Sequence, residues 1–160
     1  MQKLADIPKT TKTFWYVLGE TLCNMIRKRV QKEHKNVDNE TFKNYSKNYA
    51  NLKAAGKAVY KGGSQASRSN NPDMTLTGKT MANLKSGNVT NKNVTIGWLG
   101  LHAGIINGLY NRKNYKIVNL DTGDPFEKKE MDFMYQHITK DINKKIKKYE
   151  KTPISIKIGV

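Results

Sequence analysis

Acid–base, metal or nucleophilic chemistry needs a small set of side chains brought together, and this sequence offers few candidates. Its three histidines, His34, His102 and His137, form no HExxH pattern and have no Cys or carboxylate at ligand spacing beside them. Thirteen Asp and Glu residues supply no paired-carboxylate motif, and Asp73 is the only acid between Thr41 and Leu120. A metal-dependent nuclease needs clustered carboxylates to hold its cation, so that class is disfavoured. No GxxxxGK[ST] occurs, Gly104 and Gly108 lack phosphate-loop spacing, and Ser64, Ser67 and Ser69 have no nearby base. The single Cys23 excludes an internal disulfide and a CxxC zinc site. The expectation is a protein that is not an enzyme and uses no cofactor or metal.

Charge is the largest deviation from an ordinary composition. The formal net charge is +16, and the stretch from Thr41 to Leu120 holds twelve Lys or Arg against one acid. Such a field favours nucleic acid, an anionic membrane or an acidic protein face, although a solvated basic surface has the same composition. Within this stretch Phe42, Tyr45, Tyr49 and Leu52 recur every three or four residues, interleaved with Lys43, Lys47, Lys53, Lys57 and Lys61. Basic residues among aromatics are how single-stranded nucleic acid is held, and tyrosines packed onto a core give the same pattern. No stretch approaches the roughly 20 apolar residues of a membrane span. The N-terminal MQKLADIPKTTKTF lacks the apolar centre of a signal peptide. No membrane partner is expected.

The elements that would position these groups can be read from hydrophobic period. A length of 160 residues suits one domain, with a core over about 10–34 and 74–150, a polar arm over 35–73 and a tail strand over 151–160. Phe14, Leu18, Leu22, Met25, Ile26 and Val30 step by three and four, giving a helix over Thr13–His34 capped by Thr10, Thr11 or Thr13. TFKNYSKNYANLK is a short helix or an extended arm, and residues 62–72 have loop composition expected to be mobile without a partner. From Met74 to Trp98 the chain reads as a glycine turn at Gly78, a short helix burying Met81 and Leu84, and a hairpin turning at Asn91-Lys92. Thr77 or Thr80 is the expected cap of that short helix. Leu101, Ile105, Ile106 and Leu109 suit a further short helix, and Tyr115–Leu120 a third strand. Phe126–Tyr149 has the clearest helical period, with acids in its first turns and lysines in its last. Ile154, Ile156, Ile158 and Val160 alternate as a terminal strand able to join a sheet edge. The fold class is α+β: two long helices packed on a small, mostly antiparallel sheet, with an extended basic arm.

The order of FKNYSKNYANLK (Phe42–Lys53), LTGKTMANL (Leu76–Leu84), VTIGW (Val94–Trp98) and a closing amphipathic helix resembles the tail-completion and head–tail joining proteins of tailed bacteriophages. The resemblance spans roughly residues 20–148. Two departures are visible: Thr122-Gly123-Asp124-Pro125-Phe126 keeps only the Pro and Phe of the family's segment before the last helix, and Thr80-Met81 shifts an apolar position by one. The resemblance implies a structural virion protein at the neck, assembled in the host cytoplasm into a homo-oligomeric ring, commonly six- or twelvefold. Its partners would be portal or adaptor and tail proteins, with non-specific contact to double-stranded DNA in the bore. Phe42, Tyr45, Tyr49, Ile154, Ile156 and Ile158 would then make inter-subunit or partner contacts, and Lys43, Lys47, Lys53, Lys57 and Lys61 would carry the channel charge. The alternative is a basic nucleic-acid-binding protein that grips through the Lys/Tyr-rich arm.

Overall fold

Thr11 opens the first helix: its extended backbone leaves the hydroxyl free to accept from the Phe14 amide at 3.2 Å. The computed structural model describes residues 10–58, 65, 67–75, 78–98, 100–110, 115–118 and 125–150. Helix α1 runs Lys12–Gln31 and turns Leu18, Leu22, Cys23, Ile26 and Val30 inward. It packs on the hairpin strands β1 (Lys85–Gly87) and β2 (Thr95–Gly97), and on the long helix α5 (Lys128–Glu150). Between them lie α2 (Lys47–Ala54), α3 (Lys79–Ala82) and α4 (Leu101–Tyr110). The architecture is α+β, and the sheet among the described residues is one antiparallel pair with Ser86 opposite Ile96.

Gly19 is where the hairpin meets α1. A Cβ there would lie 2.8 Å from both Ser86 Cβ and Val94 Cγ2, so only glycine allows the strands this close. One residue on, the Glu20 carboxylate accepts from the Ser86 hydroxyl at 2.5 Å and its amide at 3.2 Å. Arg27 reaches the carbonyls of Met81, at 3.2 Å, and Leu84, satisfying the end of α3. Thus α1 carries a polar clamp for each piece of the central unit. Gly78, at φ 76°, is the N-cap of α3 and brings no side-chain cap, so Thr80, inside the helix, does not serve as expected; Thr77 lies outside the described residues.

The second clamp joins α1 to α5. Buried Arg29 donates to both oxygens of buried Glu130, at 2.8 and 3.2 Å, and also to the Ile117 carbonyl at 2.8 Å. Glu130 in turn accepts from the Glu127 amide, while Glu127 accepts from the Lys129 amide. The two carboxylates thus satisfy amides at the start of α5, where the helix dipole favours negative charge. Further along, His137 stacks between Phe14 and Phe133, with ring centroids 5.6 and 5.3 Å away.

The core gathers Cys23, Ile26, Val30, Phe42, Met81, Leu84, Ile106 and Ile117. Phe42 lies within the span expected to be a polar arm. That span is anchored to the body at several points: Val37 is buried, its amide donates to the Lys116 carbonyl at 2.9 Å, and Phe42 stacks on Tyr115. The expected arm is therefore folded onto the body over residues 35–58, with α2 at its centre. The hairpin also differs from expectation. Asn88, at φ 47°, ends β1 early, and the Thr90 hydroxyl closes the turn by accepting from the Lys92 and Asn93 amides. Residues 115–118 form no strand, because their carbonyls are taken by Val37 and Arg29 rather than by a ladder. Residues 119–120 and the terminal strand of 151–160 lie outside the described residues.

Candidate functional site

Asp73, the isolated acid of the basic stretch, finds its partner inside the protein. Lys53 is completely buried and its ammonium lies 2.5 Å from Asp73 Oδ1. The same ammonium contacts the Tyr45 hydroxyl at 3.3 Å and sits 4.9 Å from the centre of the Tyr45 ring. Asp73 also accepts from the Ser67 hydroxyl and, at 3.0 Å, from the Thr75 amide. Its lone pairs are thus spent on internal donors, as a buried carboxylate requires. Burial, and next the Asp73 charge, push the Tyr45 hydroxyl up to about 12. Burial likewise raises Tyr49, which meets Tyr45 edge-on at 4.8 Å. This cluster ties α2 to the segment after the loop; it cannot offer Lys53 to a phosphate.

The sequence candidates therefore separate. Lys53 is a correction: its charge is neutralised by Asp73 and shielded from solvent, where a channel charge must be exposed. Phe42 is a second correction, since its ring is a core residue stacked on Tyr115 and not a free contact surface. Tyr45 and Tyr49 are half-buried, while Lys43, Lys47 and Lys57 are exposed. Lys61, Ile154, Ile156 and Ile158 lie outside the described residues.

No arrangement among the described residues gathers three or more His, Cys, Asp or Glu for a metal. His102 Nδ1 lies 3.3 Å from the Thr80 hydroxyl, the one hydroxyl–imidazole approach among the described residues, and no carboxylate among them is bonded to the imidazole as a triad would require. His34 is held at the Pro72 carbonyl and His137 between two phenylalanines. Burial pushes the Cys23 thiol up to about 11, so thiolate chemistry is suppressed.

The exposed surface is more informative. Helix α4, LHAGIINGLY, has no Asp, Glu, Lys or Arg, and Leu101 is 79% exposed with Ile105 also exposed. Among its described side chains Ile106 is buried and His102 and Leu109 are half-buried, so Leu101 and Ile105 are presented outward. Beside it a cavity of about 600 Å³ opens among Leu84, Ile96, Trp98, Ile106, Val118 and Phe126. Tyr135, Ile142 and Ile146 are exposed on α5, and Tyr16 and Val17 on α1. Sequence periodicity places Leu101 and Ile105 on a short helix with Ile106 and Leu109; it does not tell which of them are covered. Comparison with family models, curated proteins and solved structures finds no match to this chain.

Proposed function

We propose that the protein is a structural subunit of a tailed-phage virion, a ring-forming neck or tail-completion component that joins head to tail around the DNA. The single observation in favour of an assembling subunit is α4, an uncharged helix whose Leu101 and Ile105 face solvent. An apolar helix side of this kind is what a partner surface covers in a complex. The neck, the ring and the portal, adaptor or tail partners come from the resemblance in order of Phe42–Lys53, Leu76–Leu84 and Val94–Trp98. The rival grip on nucleic acid through the arm is supported by Lys43, Lys47 and Lys57, but loses Lys53 to Asp73.

Native mass spectrometry of the purified protein, with electron microscopy of the same sample, tests the proposal. A closed homo-oligomer, and recovery of the chain from purified virions, is the expected outcome. A monomer at every concentration that is absent from virions would overturn it.

A further inference from the structure

The second half of α5 turns a wholly polar side to solvent. Gln136, Thr139, Lys140, Asn143, Lys144 and Lys147 are all exposed. Their steps of three and four keep them on one stripe, roughly 16 Å long at the α-helical rise. From Phe133 to Lys148 the helix has five lysines and one acid, Asp141. That acid is engaged by Lys145 at 2.5 Å, away from the stripe. Lys140, Lys144 and Lys147 have no carboxylate within ion-pair distance among the described residues.

We infer that this stripe binds the phosphate backbone of double-stranded DNA without reading bases. Three lysines on a rigid helix place point charges roughly 4.5–6 Å apart along its axis, and a duplex presents phosphates more densely than that. Gln136, Thr139 and Asn143 add neutral donors of the kind that contact phosphate and sugar oxygens. The stripe contains no aromatic residue, so it lacks the stacking platform that holds single strands. A membrane-surface helix needs an apolar side free to enter the headgroup layer. Here α1 holds the first half of the helix, through Phe14 on His137 and Arg29 on Glu130, and the exposed apolar side chains of the second half are limited to Ile142 and Ile146. Ile142 and Ile146 fall on the flank, roughly a third of a turn from the stripe's centre.

The inference does not require a ring, since one copy carries the whole stripe. The test compares the full-length protein with Lys140→Gln/Lys144→Gln/Lys147→Gln and with Lys43→Gln/Lys47→Gln/Lys57→Gln. Binding to a mixed-sequence 30-base-pair duplex, about the length of three helical turns, is followed by anisotropy across salt concentrations. Sedimentation of each sample records its oligomeric state. Each lost phosphate contact is worth about 5-fold at 0.15 M salt, so the stripe variant should bind roughly 100-fold more weakly. Its log–log salt slope should fall by about 2.7. The arm variant should keep the wild-type slope, and Lys→Arg at the three stripe positions should retain binding. The inference is overturned by an unchanged slope in the stripe variant or by no duplex binding in the wild type. It is equally overturned if phosphatidylserine vesicles or polyglutamate bind as tightly as the duplex. A monomer that binds through the stripe would uphold this site while overturning the neck proposal.

Discussion

Replacing Asp73 by Ala should be among the most damaging single changes in the protein. The substitution leaves the Lys53 ammonium fully buried, with the Tyr45 hydroxyl at 3.3 Å as its remaining polar contact. Removing one member of a buried ion pair typically costs about 3–5 kcal/mol, because the other charge stays desolvated. Against the roughly 5–15 kcal/mol that holds an ordinary domain, about a fifth or more of the stability would be lost. With a urea dependence of about 2 kcal/mol per molar, the unfolding midpoint should fall by roughly 2 M. Lys53→Met is expected to be milder, about 1–3 kcal/mol, because Asp73 keeps the Ser67 hydroxyl and the Thr75 amide. The double variant removes both charges, so its cost should fall short of the summed singles by more than about 1 kcal/mol. Urea titrations followed by far-ultraviolet circular dichroism measure all three. An Asp73→Ala cost below about 1 kcal/mol, or strict additivity, would refute the internal role assigned to Lys53.

Three further outcomes follow from geometry. Gly19→Ala gains about 1 kcal/mol of helix propensity but drives a methyl into Ser86 and Val94. A net loss of roughly 1–2 kcal/mol in thermal unfolding is expected, and a more stable variant would contradict the close approach. The Ser86 hydroxyl holds the Glu20 carboxyl below its ordinary 4.5, assisted by the Ser86 amide, Arg27 and Lys85 and opposed by burial. The stability this bond contributes is therefore full above pH 4.5 and fades as pH falls through the lower folded value. Glu20→Gln should flatten that acid limb, and identical limbs would count against it. In α4, a Cβ at Gly104 or Gly108 meets open space, so each Gly→Ala should raise stability by about 0.5–1 kcal/mol. If α4 is an assembly contact, the same changes should lower oligomer yield; unchanged oligomers would exclude that side from the interface.

Much of the scaffold was legible because it rests on local periodicity. The stripes of α1 and α5, the Thr11 cap, and the buried Met81 and Leu84 all follow from spacing. Period alone says which side chains share a face, not whether anything covers it. That is why Leu101 and Ile105 were grouped with Ile106 although only Ile106 is buried. The expected arm misled for another reason: its order comes from partners far along the chain. Lys53 meets Asp73 twenty residues on, and Val37 bonds to Lys116. The isolation of Asp73 among twelve cations was the one sequence signal that a specific pairing awaited it. The α5 stripe was also written in the sequence, but its lysines have an ordinary use at a helix C-terminus. What separates the two uses is that Lys140, Lys144 and Lys147 share one exposed stripe without a carboxylate partner among the described residues.

The capping glutamates of α5 have a mechanical consequence. Glu130 is fixed to Arg29 and Glu127 closes the first turn, whereas from Thr139 onward most residues are exposed. The helix is thus a beam clamped near one end, with its positive charge concentrated toward the other. A polyanion approaching such a beam meets the outer turns first. The attraction acts before any contact forms and speeds encounter more than it lengthens residence. Because the helix is already ordered, engagement loses little conformational entropy. Salt should therefore slow arrival at this end of the molecule, leaving the clamped end untouched.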